Sequence, residues 1–346
     1  MVDNSNGSGG IETTMEATWE LRKYDREFFD KELDSFVPDE IFDSHAHLYE
    51  VTHWTSRSLI EKGPSVVTLD EFKRQMEWIT PGRRTTGLFF GAGLSEAQYE
   101  QSNRFVAAEV AQDSRSRGQL IVSPKQDADQ VRERVRQHKF VGLKVYHTFA
   151  SRTPTWEAEV KEYLTEEHMR VAHEEGLSIT LHMVRARAMA DPANQAQIRS
   201  YCERYPNARM ILAHGARGFN PHHTIEGIRA LAGLRNVWCD TSAVTEAGGL
   251  EAIIETLGHD RLLWGSDFPI SHFRGRCVAI GDEFLWLYEN TLDWNTVAGY
   301  ARIRPLFVGH ESLRALKLAA TRLHLNDSQI EDVFRNNGLK LFGLST

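Results

Sequence analysis

Eight short runs rich in β-branched and aromatic residues recur along this chain, most of them separated by a break and a longer stretch of helical spacing. They are IFDSHAH (41–47), TTGLFFGAG (85–93), QLIVSP (119–124), FVGLKVYH (140–147), LSITLHM (177–183), ARMILAH (208–214), NVWCDTS (236–242) and RLLWGSD (261–267). Two of the intervening stretches carry their own stop signals. TEEHMRVAHEEG (165–176) closes on a glycine and NQAQIRSYCERYPN (194–207) on a proline, the residues that end helices. Eight strand–helix units predict a (β/α)8 TIM barrel, with parallel strands joined by right-handed crossovers.

The length of 346 residues suits one such barrel with additions. Residues 1–40 read as a flexible tail, MVDNSNGSGG, followed by an amino-terminal helix over 13–36; residues 41–346 read as the barrel domain. The stretch 48–84 is too long for a simple connection and holds Trp54 and Trp78. It is either a lid over the strand mouths or a surface that meets a neighbouring subunit. Residues 270–346 are expected to wrap the outside as several helices, ending at NNGLKLFGL (336–344). An arm at 11–36 that could exchange between copies points to a homo-oligomer.

A net charge of −8 disfavours nucleic acid, whose binding needs clustered Lys and Arg. No apolar run approaches the roughly 20 residues that cross a bilayer, so no membrane partner is expected. The first residues lack the basic start and apolar stretch of a secretion signal. Three scattered cysteines argue against a disulfide framework. Together these point to a cytoplasmic protein acting on a small molecule.

The chemistry sits at the strand ends. In FDSHAHLYE, His45 and His47 share one face of the first strand, because alternate side chains of a strand point the same way. His182 nearly closes the fifth run, His214 closes the sixth and Asp267 the eighth. In a (β/α)8 barrel these positions lie on the carboxyl rim, where active sites form. Imidazole and carboxylate suit Zn²⁺, with Mn²⁺ or another first-row ion as the alternative. The bland alternative is a set of buried histidines satisfied by backbone carbonyls.

The motifs DSHAHL, ITLHM, ILAHG and LLWGSDFP, in that order, resemble those of the amidohydrolase superfamily, and specifically of its amidohydrolase-related branch of metal-dependent hydrolases and non-oxidative decarboxylases. The ending NNGLKLFGL is similar to that branch's terminal helix. The resemblance implies that His45, His47, His182 and Asp267 hold one divalent ion, and that His214 stands close by as a substrate-polarising or proton-handling group. It also raises a second arrangement, in which a carboxylated Lys144 bridges two ions and His214 binds the second.

Two activities follow from the resemblance. A hydrolase would open an amide, ester or lactone with activated water, Asp267 and His214 being the catalytic pair. A decarboxylase would use a protonated Asp267 to protonate a ring carbon of an aromatic or unsaturated acid. Arg185, Arg187 and Arg217, just past the fifth and sixth strands, are candidates to grip a substrate carboxylate. Tyr146 would line the pocket, Asp43 would orient a ligand, and Asp240 and Thr241 would either touch substrate or cap their strand. A non-enzymatic metabolite binder on the same barrel is the remaining class, and it would have no need of Asp267.

Overall fold

The structure is a computed structural model and describes residues 19–54, 60, 62–92, 96–289 and 303–345. Its centre is an eight-stranded sheet in which each strand pairs parallel with the next. The strands are β1 (Glu40–His47), β2 (Arg84–Phe90), β3 (Arg117–Val122), β4 (Gly142–Tyr146), β5 (Ser178–His182), β6 (Arg209–Leu212), β7 (Val237–Asp240) and β8 (Leu262–Leu263). The chain just after β8 returns to β1, where Ser44 N donates to Trp264 O (2.9 Å), Asp267 N to His45 O (2.8 Å) and His47 N to Phe268 O (3.0 Å). The sheet is therefore nearly closed, as the eight-run rhythm predicts, and among the described residues its first strand is bridged to the segment after its last.

The helices begin and end where short-range chemistry dictates. Thr165 accepts from His168 N ahead of Glu166–Glu175, which stops at a left-handed Gly176. Asp191 accepts from Ala193 N and Asn194 N ahead of Pro192–Arg204, with proline in the first turn. The foot of the barrel is closed by apolar packing. Phe42, Leu88, Ile211 and Leu263 cluster with Leu339, Leu341 and Phe342 of the terminal segment. A Cβ on Gly338 would meet Phe42 Cδ1 at 2.4 Å, so the NNGLKL turn depends on glycine to approach β1.

Two expectations need correction. The amino-terminal helix is short: α-helical turns run over Lys23–Phe28 and wider turns over Phe29–Leu33, while residues 13–18 of the expected helix lie outside the described residues. Residues 270–346 carry the expected helical stretches but also a pair of strands, which follow the single 3-10 turn Ile270–His272. The strands form an antiparallel hairpin, Gly275–Ile280 with Glu283–Tyr288, and the helix Val308–Arg322 follows only after residues 290–302, which lie outside the described residues. Alternating burial in EFLWLY, with Trp286 and Tyr288 inward and Leu285 outward, is a strand pattern. No helix among the described residues is long and apolar enough to cross a membrane.

The insertion after β1 packs down rather than standing free. Tyr49–Glu50 pairs with Val66–Val67, and Leu69–Met76 forms a helix capped by Thr68. Trp54 packs against His47 (ring centroids 6.0 Å) and Trp78 against Phe307 (6.1 Å). Residues 55–59 and 61, on which a lid would depend, lie outside the described residues.

Buried histidines set a testable pH response. His310, fully buried among the rings of Phe28, Phe29 and Phe307, is held by burial at a pKa of about 4. A histidine with a lowered folded pKa adds stability above its unfolded pKa of about 6.5, and that stability is lost as pH falls toward the folded value. Between pH 7 and pH 5 the parent should therefore lose about 2 kcal/mol more than His310→Gln does. Urea midpoints at the two pH values measure the difference; equal losses would mean that His310 does not carry it.

Candidate metal centre

The inward face of the carboxyl rim collects the histidines. His45 and His47 both set their rings edge-on against Phe90, each at 4.8 Å, so the two imidazoles of H-x-H do face one space. The β1–β2 register shifts between Asp43 and Ala46, so simple alternation does not run through the motif. Asp43 sits at that irregularity, and its Oδ1 accepts from His45 N and Ser266 N at 3.0 Å each. It braces the first and last strands against each other. Gly265 lets them meet, since a Cβ there would come 2.8 Å from His45 Cβ.

His45, His214 and Asp267 bring ligand atoms within 4.8 Å of one another. His45 Nε2 lies 3.3 Å from Asp267 Oδ1, and His47 Nε2 lies 4.0 Å from the same oxygen. Ligands about 2.0–2.2 Å from one ion stand roughly this far apart. His182 joins from the side, its ring 5.0 Å from that of His214, and its buried Nδ1 has no hydrogen-bond partner among the described residues. The tight trio therefore includes His214, which the family resemblance placed beside a single ion, while His47 and His182 lie around it.

Three of the four imidazoles, those of His45, His47 and His214, are held by Nδ1. His45 Nδ1 meets Asp240 Oδ2 (2.8 Å), His47 Nδ1 meets Gly91 O (2.9 Å), and His214 Nδ1 lies 3.1 Å from Ser242 O. A carbonyl or carboxylate on Nδ1 selects the tautomer that leaves Nε2 as a lone pair. Burial, the largest influence, pushes all four histidines well below the usual imidazole range. Neutral imidazole is the form that binds metal. These donors fit a divalent cation.

His214 reaches its place through an unusual backbone. Residues His214, Gly215, Ala216 and Arg217 all take left-handed conformations, with φ between 57 and 60°. For the three non-glycine residues this costs about 1–2 kcal/mol each. The turn is pinned by His214 N donating to Asp240 Oδ1 (2.9 Å), Gly218 N to His214 O (2.6 Å) and Thr224 Oγ1 to Gly215 O (3.0 Å). Asp267 is also left-handed, at φ 57°. Such conformations persist at functional sites because the surroundings over-determine them.

Asp240 is the residue whose part sequence reasoning missed. It is fully buried and accepts from His45, from the backbone N–H of His214 and Ser242, and from the Ser242 hydroxyl. It caps the end of β7 through Ser242 N, and the same carboxylate also orients two of the three clustered groups. Only its position at the end of a strand, beside Cys239 and Thr241, hinted at this.

Lys144 is buried with its Nζ 3.2 Å from His45 Nε2 and 4.1 Å from the centre of the Phe90 ring. Burial lowers its pKa and raises that of Asp267, moving both groups toward their neutral forms. Tyr146 lies beside them, its ring 6.3 Å from that of His182. The arginines separate. Arg185 Nε donates to Asp191 Oδ2 (2.8 Å), and Arg187 pairs with Glu226 and Asp282, so both serve loop structure. Arg217 instead lies near His182, with a hydrogen bond to Met183 O (3.1 Å) and its guanidinium 5.7 Å from the Phe284 ring.

The amidohydrolase family model matches residues 42–344, so the chain belongs to that family and is an enzyme by that membership. Over 115 residues it is 30% identical to the L-fucono-1,5-lactonase of Burkholderia ambifaria, a match covering 29% of this chain and 39% of that protein. The chain thus aligns with well under half of the lactonase's length. The fold is similar to that of an amidohydrolase from Burkholderia multivorans solved with bound zinc (15% identity, 88% of this chain, 99% of that one, TM-score 0.56). It is also similar to 5-carboxyvanillate decarboxylase from Sphingomonas paucimobilis (12% identity, 89% and 100%, TM-score 0.55).

Proposed function

We propose that this protein is a divalent-metal-dependent hydrolase that opens a lactone, ester or amide of a small, carboxylate-bearing molecule. The observation that carries the reading is the convergence of His45, His214 and Asp267, with His47 beside them, on the inward carboxyl rim. His45, His47, His182 and Asp267 would hold the ion, Zn²⁺ first and Mn²⁺ second. When bound, it supplies Lewis-acid activation of water and carbonyl. The likeness to a lactonase supports a lactone among the possible substrates.

In this reading Asp267 accepts the proton of the attacking water and passes it to the leaving oxygen or nitrogen. His214 handles a proton rather than donating a hydrogen bond while neutral, because its Nδ1 is turned to the Ser242 carbonyl and Nε2 is left as an acceptor. Tyr146 and Arg217 line the substrate side, Arg217 pairing with the carboxylate. One ion accounts for these donors; a carboxylated Lys144 would have to give up its place beside His45 and Phe90. Buried, unpaired Cys202, Cys239 and Cys277 support a cytoplasmic setting.

Decarboxylation of an aromatic or unsaturated acid is the second reading. It is supported by the enclosure of Asp267, 6% exposed on the rim, since burial favours the neutral carboxyl group that can give its proton to carbon. Metal analysis together with turnover of lactones, esters, amides and aryl carboxylates in ¹⁸O-water separates the two. Hydrolysis is expected to place one solvent oxygen in the acid product. Chelation should reduce the rate about 100-fold or more, with recovery on adding Zn²⁺ or Mn²⁺. Carbon dioxide release would transfer the assignment to decarboxylation, and a metal-free protein with undiminished turnover would end both.

A further inference from the structure

The segment 19–33 precedes the residues matched by the family model, yet it reaches the loop that carries Asp267. The Trp19 ring stacks on His272 (centroids 5.0 Å, 12° between planes) and meets Phe268, the neighbour of Asp267, edge-on at 6.0 Å. Its Nε1 donates to Gln75 Oε1 at 3.0 Å, in the helix of the insertion after β1. A Cβ on Gly63, in the same insertion, would come 3.0 Å from Trp19 Cε3. One indole thus touches both the β1 insertion and the loop after β8.

The far end of that loop is held as well. Arg274, 2% exposed, donates to both oxygens of fully buried Asp25 (2.9 and 2.6 Å) and to Glu20 O (2.5 Å). Its guanidinium lies 4.2 Å from the centre of the Phe307 ring. Asp25 in turn accepts from Arg22 N at 2.8 Å. A fixed, two-pronged ion pair in a desolvated setting gives orientation as well as attraction. The loop 267–274 is therefore tied at its start through Phe268 and at its end through Arg274, both to the same arm.

We infer that the amino-terminal arm is an intramolecular clamp that positions the Asp267 loop, with Trp19 as its positioning residue. Asp267 needs such support, because its left-handed backbone is one that surrounding contacts must impose. Its hydrogen bond to His45 O fixes only the strand side. The arm supplies the opposite side and links it to the β1 insertion. The functional meaning of the clamp rests on Asp267 being a working group of the proposed hydrolase.

The test compares the full-length parent with Trp19→Ala and Trp19→Phe by hydrogen–deuterium exchange, reading peptides from 264–275 and, as a control, from 142–146 in β4. Trp19→Ala is expected to speed exchange of the 264–275 amides about tenfold and leave β4 unchanged, while Trp19→Phe restores the parent rate. Co²⁺ titration followed by its d–d absorption should show about tenfold weaker binding in Trp19→Ala, the range typical of losing a group behind a metal ligand. Should Trp19→Ala not fold, Trp19→Leu takes its place in the same comparison. Unchanged exchange at 264–275, or equal acceleration in every strand, overturns the clamp. A parent that takes up no Co²⁺ removes the proposed function instead, and the exchange comparison still decides the clamp.

Discussion

Asp267→Asn is expected to lower kcat/KM by roughly 10²–10⁴-fold, the range lost when a positioned acid–base group is removed. The amide keeps the side chain's size and one of its oxygens, so the meeting of β1, β8 and the loop beyond them should survive. Metal should be retained in large part, because His45, His47 and His182 remain. Native mass spectrometry of the variant and steady-state kinetics on the lead substrate check the two halves separately. Full activity in the variant would remove Asp267 from the mechanism, whereas a folded variant without metal would make it chiefly a ligand.

The second large effect falls on Asp240, which sequence reasoning left between a strand cap and a substrate contact. Its two oxygens accept from His45 Nδ1, His214 N, Ser242 N and the Ser242 hydroxyl. Asparagine offers one acceptor where two are used, so at least one buried donor must face an N–H group. Asp240→Asn should weaken metal binding about 10–100-fold. The orphaned donor should also cost about 1–3 kcal/mol of stability. Chelator competition and urea unfolding measure the two effects. Metal affinity equal to that of the parent would show that His45 and His214 hold their orientation without this carboxylate.

These two carboxylates differ in how legible they were. Asp267 closes the last apolar run in LLWGSDFP, and its place on the rim follows from counting strands. Asp240 also closes a run, but its partner His45 is 195 residues away, and no local spacing says which rim groups will touch. The arginines teach the same lesson. Arg185, Arg187 and Arg217 look alike in sequence, and only packing separates them. Asp191, Glu226 and Asp282 engage the first two, while Arg217 is turned toward His182 by a left-handed turn.

The linear order of residues determined the barrel, because strand length, helix spacing and stop residues are short-range properties written every few positions. It also determined which donors stand at strand ends, since the period of a strand settles which side chains share a face. Tertiary structure alone decided how those donors are aimed: the irregularity at Asp43, the left-handed turn at 214–217, the Nδ1 partners that set the tautomers of His45, His47 and His214, and the hold of Trp19 and Asp25 on the last loop. Each of these joins residues that are close only after the barrel has closed. Their energies come from desolvation and contact between distant segments, which no short-range pattern in the chain records.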